Sequence, residues 1–254
     1  MRVNRKSTGR MPQALALACM VASSTVFPAL GTPCAALADD QTQSSTQGEN
    51  TPSFSDVDAK TPHQEDVMWM AEKGITTGFE DGTFRPYAGT ARCDIAAFMF
   101  RLAKLWNYVD DDWTPTYEQK HTFTDVDENT PHAREIWWLA SESITTGWTE
   151  PDNTRTFRPY VMVARQDMAA FLFRLSVASG KGGAVIGWLP VDKTKERFRD
   201  VTETPDRHAR DIWWLFESGI SDGWKVGTDT YEFRGLEPIA RCDLAAFLSR
   251  MNEM

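Results

Sequence analysis

Three arginines open the same short stretch: Ala91-Arg92-Cys93-Asp94, Ala164-Arg165-Gln166-Asp167 and Ala240-Arg241-Cys242-Asp243. Lysine never takes the place. A guanidinium grips a carboxylate through two parallel hydrogen bonds, a geometry that an ammonium does not offer. The internal alternative is that the same fork pairs with a nearby Asp or Glu and holds a loop. Two further sets recur with the arginines. Gly78-Phe79, Gly147-Trp148 and Gly223-Trp224 place an aromatic ring on a loop, where its face either stacks on a sugar or packs into the core. Asp56, Asp125 and Asp200, each in a Phe-x-Asp-Val stretch, either accept from a sugar hydroxyl or bond a backbone turn before the first helix of the copy; the turn is the favoured reading.

The remaining polar residues carry less. His63, His132 and His208 recur at the start of a helix, and a metal would need them brought together with further ligands. A polar residue on a first turn is the simpler account, so no metal and no cofactor is expected. Asp110-Asp111-Asp112 lacks the alternating ligands and the glycine of a calcium loop. Gly219-Ile220-Ser221-Asp222-Gly223 spells G-x-S-x-G, but it is the third copy's form of the repeated element Ile-x-x-Gly-aromatic. No H-E-x-x-H stands in the chain, and the acid pairs are all copies of one repeated element, so no enzyme is expected.

These residues ride on an internal repeat whose copies begin at Phe54, Phe123 and Phe198, 69 and 75 residues apart. Missing such a period mis-assigns the whole fold. In the second copy Thr130-Pro131 predicts a helix start, with threonine capping and proline at the first helical position. Ala133, Ile136, Trp137, Ala140 and Ile144 then follow helical spacing. Gly147, like Gly78 and Gly223, is placed to end that helix in a left-handed conformation. A loop leads to Phe157-Arg158-Pro159, and a second helix runs from about Arg165 to Leu175, with Met168, Phe171, Leu172 and Leu175 on one stripe. A copy of roughly 50 residues cannot bury its own stripe, so the three are expected to pack together. The expected fold is all-α, three helix-loop-helix repeats over 54–106, 123–176 and 198–252, joined by connectors.

The front of the chain is different. Arg2, Arg5, Lys6 and Arg10 precede an apolar run from Ala14 to Val26, and Ala36-Leu37-Ala38 stands before Asp39. That order describes a secretory signal peptide over 1–38, and the run is shorter than the ~20 residues that span a bilayer. Residues 39–53 read as a flexible leader. Of the chain's 27 Lys+Arg, four leave with the signal, so 23 face 36 Asp+Glu, a formal charge of −13. Such a surface argues against nucleic acid and anionic lipid as partners, and against membrane insertion after cleavage. Only Cys93 and Cys242 remain; at equivalent positions of different copies, they are expected to stay unbridged.

F-x-D-V, a helix followed by G-I-x-x-G-aromatic, D-G-T-F-x-P and an arginine-led helix together resemble the S-layer homology repeat, over residues 54–252. The resemblance implies three tandem copies in a pseudo-threefold bundle with ligand grooves between neighbours. It also implies attachment at the cell wall of a Gram-positive bacterium, through a secondary cell-wall polysaccharide often bearing pyruvylated sugars. Carried over by position, the ligand residues would be Arg92, Arg165 and Arg241; Gly78, Gly147 and Gly223; Phe79, Trp148 and Trp224; and Asp56, Asp125 and Asp200. Two departures stand out. The family's threonine before the arginine is Ala91, Ala164 and Ala240 here, which removes a hydroxyl cap from each helix. The third copy reads Phe233-Arg234-Gly235 where the others have proline, so its groove is expected to differ.

The expected function is therefore a non-catalytic, secreted wall-binding protein. The alternatives are a self-associating or adhesive surface protein that binds another protein through its repeats, and a glycan-cleaving enzyme using the acids. Nothing in the sequence fixes an oligomeric state.

Overall fold

The computed structural model describes residues 53–203 and 208–254. The expected signal peptide, the expected leader up to Pro52 and the helix start expected at Thr204-Pro205 lie outside the described residues. The described chain is helix-rich, in the order α1 (Gln64–Glu72), α2 (Arg92–Leu105), α3 (Tyr117–Lys120), α4 (Ala133–Ser141), α5 (Arg165–Ser179), α6 (Asp192–Lys195), α7 (Ala209–Glu217) and α8 (Arg241–Glu253). The long helices α2, α5 and α8 are apolar almost all round: from Cys93 to Ala103, only Asp94 and Arg101 of α2 escape full burial. A helix with no solvent face belongs at the centre of a core.

Each short helix packs on the long helix of the preceding copy: α4 on α2, α7 on α5, and α1 on α8. The reason is visible at the contacts. Phe100 of α2 meets Trp138 of α4 edge-on, centroids 5.2 Å apart, and Phe173 of α5 meets Trp214 of α7 at 5.5 Å. The guanidiniums of Arg134 and Arg210 lie over those same phenylalanines. At the α8–α1 junction the corresponding positions hold Ser249 and Glu65.

The segments just before the long helices interlock. Thr90 donates its N–H to Ile239 O, Val163 to Thr90 O and Ile239 to Val163 O, a closed ring of three hydrogen bonds at 2.9–3.1 Å. The first N–H groups of each long helix are satisfied across copies: Arg92 and Cys93 donate to Val161 O and Pro159 O, Arg165 and Gln166 to Glu237 O and Gly235 O, and Arg241 and Cys242 to Ala88 O and Pro86 O. Helix starts need partners for such donors. Here backbone carbonyls supply them for the first two residues of each long helix, in place of the hydroxyl that Ala91, Ala164 and Ala240 lack.

Several local expectations are corrected. The Thr-Pro pair builds a turn, not a cap: Thr130 Oγ1 accepts from Asp127 N and donates to Asp127 Oδ1, and α4 starts two residues after the proline, behind His132 at φ +59°. The helix-ending left-handed residue is Gly74, Ser143 or Gly219, four residues before the glycines expected to do it. The loops of the second and third copies carry small antiparallel hairpins, Trp148–Thr149 with Arg155–Thr156 and Trp224–Lys225 with Tyr231–Glu232. The fold is thus mostly α, not purely α. The connectors carry α3 and α6, and Tyr108 and Trp113 pack on the core. Cys93 and Cys242 are buried and are not bridged to each other.

Candidate functional site

The expected residues come together, but not within their own copies. Arg92 leaves the start of α2 and meets the second copy: its Nε donates to Phe157 O at 2.8 Å and its Nη2 to Thr145 Oγ1 at 3.4 Å. Arg165 likewise donates to Phe233 O at 3.1 Å, and Arg241 to Phe84 O at 2.7 Å. All three arginines are buried, 3–4% exposed. Burial pulls Arg92 and Arg165 down to about 10, still far above neutral, so both remain cations.

The loop aromatics lie against these guanidiniums. Trp148 sits 4.3 Å from Arg92 and 4.6 Å from Arg158; Trp224 sits 3.9 Å from Arg165 and 5.0 Å from Arg234; Phe79 sits 4.8 Å from Arg241 and 3.9 Å from Arg85. Each half-buried ring therefore serves two arginines, one from its own copy and one from the copy before. Cation–π contact of this kind holds a fork in place.

Asp56, Asp125 and Asp200 act on the backbone. Both oxygens of Asp125 accept, from Phe157 N and Arg158 N at 2.7 Å, and Asp56 and Asp200 repeat this with Phe84-Arg85 and Phe233-Arg234. The clamp fixes Arg85, Arg158 and Arg234 at φ near +58°, a conformation that side chains rarely adopt. The partner is a backbone turn, but the one after the first helix of each copy and not the one expected before it. The third copy keeps the same clamp and the same φ despite Gly235, so the missing proline does not reshape that turn.

Gly78, Gly147 and Gly223 are required by packing. At φ +64° to +75°, a Cβ on any of them would meet the ring of Phe54, Phe123 or Phe198 at 2.5 Å. Their part in the site is to let the loop approach that ring, which sets the position of the following aromatic.

Sequence reasoning missed that a third copy closes each site. Asp167 at the start of α5 faces His208 Nε2 of the third copy at 3.5 Å. Asp243 faces His63 of the first copy at 3.8 Å, and Asp94 faces His132 of the second at 3.9 Å. The histidines thus go to three separate sites. A second arginine recurs in each copy as well: Arg174 Nη1 donates to Ile144 O, as Arg101 does to Ile75 O and Arg250 to Ile220 O. Its threefold recurrence was the available signal.

Two of these sets line open grooves. One, of about 430 Å³, holds Arg92, Trp148, Gln166, Asp167, Arg174 and His208; the other, of about 200 Å³, holds Arg165, Trp224, Asp243, Arg250 and His63. Both are polar, partly open and basic at the floor, suited to an oxygen-rich anionic ligand rather than to an apolar one.

A helix-rich arrangement with polar grooves between copies is the class that fold and site define; no helix among the described residues is long and apolar enough to cross a membrane. Residues 53–88 match the S-layer homology domain. That match supports an S-layer homology protein, cell-wall binding and a place at the cell surface, and it points to no enzyme family. No curated protein matches the chain.

Proposed function

We propose that this is a non-catalytic wall-binding protein of a Gram-positive bacterium, secreted and held non-covalently by a wall-linked polysaccharide that carries carboxylate groups, pyruvylated sugars among the candidates. In this reading the second and third copies are S-layer homology repeats like the first, and the three surround a pseudo-threefold axis with a groove at each junction. The observation that carries the reading is the floor of the Arg92 groove, where a buried guanidinium has its Nε bonded to a backbone carbonyl, an aromatic ring against it and an open polar groove beside it. A fixed fork of this kind suits a carboxylate on a sugar. The sites use one residue set three times, which fits a repeating polymer: weak single contacts then add through effective concentration.

The test is calorimetry of the full chain with polysaccharide released from purified walls. Saturable binding is expected, and it should fall steeply when the polymer's carboxylates are reduced to alcohols. Equal binding to the reduced polymer would remove the arginines from the recognition.

A further inference from the structure

The three arginine sites are not electrostatically equal. Arg165 Nη1 meets Asp243 Oδ2 at 2.7 Å, so the second groove already holds a carboxylate against its fork. Arg241 Nη1 lies 3.6 Å from Asp94 Oδ2. Arg92 has, among the described residues, no carboxylate within salt-bridge distance, although Asp167 stands at the matching position. Asp167 is turned to His208 instead, and His208 in turn reaches Asp211 at 3.2 Å. Arg92 is nonetheless 96% buried, because only 4% of it is exposed. Asp167 and Asp125 act on it only at longer range than an ion pair. A buried cation so weakly compensated is costly, and an incoming anion relieves that cost.

Two further differences point the same way. The Arg92 groove is the roomier of the two described, about 430 against 200 Å³. It also carries Gln166, an amide that both donates and accepts, where the other copies have Cys93 and Cys242.

We infer that the groove built on Arg92, Gln166 and Arg174 is the principal carboxylate seat of this protein, and that Asp243 blocks the same seat in the Arg165 groove as a built-in substitute for the ligand. This rests on reading the grooves as anion-accepting sites. It adds that one groove dominates, and that a single acidic side chain sets the difference.

Sodium acetate, the simplest carboxylate, is the probe. The side-chain Nε–H signals of Arg92 and Arg165 in the ¹⁵N-labelled full chain, assigned with Arg92→Lys and Arg165→Lys, are followed against sodium chloride at matched ionic strength. The Arg92 signal should respond to acetate first, with Arg165 needing at least roughly tenfold more, the equivalent of one lost charge-assisted hydrogen bond. Asp243→Asn should bring the Arg165 response to within a few-fold of Arg92, a gain that misfolding cannot mimic. Arg165 responding first, both responding together, an unchanged Arg165 in Asp243→Asn, or chloride reproducing the shifts would each overturn the inference. The polysaccharide reading fails separately: a chain that takes acetate at Arg92 yet ignores released wall polymer would keep this inference and lose that function.

Discussion

The Nε–H of Arg92 donates to the main-chain carbonyl of Phe157, 65 residues further along the chain, at 2.8 Å. That bond joins the start of a long helix in one copy to the turn that Asp125 clamps in the next. The side chain that floors the groove therefore also holds two copies together, so binding and stability are coupled at these arginines.

Arg165→Ala is expected to lower stability more than Arg92→Ala. The Arg92 substitution removes a buried hydrogen-bonded cation that lacks an ion pair, about 1–3 kcal/mol. The Arg165 substitution also takes from Asp243 its nearest cation, leaving His63 at 3.8 Å; since Asp243 is 21% exposed, the cost stays below the ~3–5 kcal/mol of fully buried pairs. Urea unfolding of the two variants checks the order.

Gly147→Ala and Gly219→Ala should separate two uses of a positive φ. Both positions are left-handed, but only Gly147 has the Phe123 ring against the place of its Cβ, while Gly219 faces open space. The expected losses are ~2–4 kcal/mol for Gly147 and about 1 for Gly219. Ser143, at φ +60° in the same structural place as Gly219, should gain ~0.5–1 kcal/mol on substitution by glycine. Equal losses at Gly147 and Gly219 would remove the ring contact from the account.

This glycine pair shows what was legible in the sequence and what was not. The recurrence of Arg92, Trp148 and Asp125 could be read directly, because three copies align on one another. The role of Gly147 could not, since the ring that demands it, Phe123, lies 24 residues upstream and only the folded loop brings it close. The apolar stripes announced that each copy needs a partner but not which one; that Trp138 chooses Phe100 of the preceding copy is a property of packing. For the same reason His208 read as a bland first-turn residue, although it closes a groove formed by the two other copies. Thr130 misled because a threonine before a proline serves a turn with Asp127 as well as it serves a helix.

The α8–α1 junction should open before the other two. It lacks the phenylalanine and arginine layer present at Phe100–Trp138 and Phe173–Trp214, and local opening follows the least apolar contact. Native-state hydrogen exchange should show lower protection for α1 than for α4 and α7. Phe173→Ala, by contrast, should cost ~3–5 kcal/mol. Faster exchange of α7 than of α1 in the unaltered protein would contradict this order.

Acid should weaken the fold partly through His132. Burial, only partly offset by Glu135 and Asp94, holds this imidazole below its ordinary value. The unfolded chain then binds the extra proton more readily, so the neutral ring's contribution is full above about pH 6.5 and is lost as the pH falls toward the lowered value. His132→Asn, which tolerates φ +59°, should flatten the fall in Tm between pH 6.5 and 5. An unchanged slope would exclude His132 as its source.

The central claim is that a wall-linked polysaccharide holds this protein, and retention on purified cell walls before and after that polymer is stripped tests it most directly. With the full chain and sedimentation as the readout, the protein should pellet with intact walls and stay in solution with stripped ones. Pelleting that survives the stripping would contradict the claim and point to a protein partner on the surface instead.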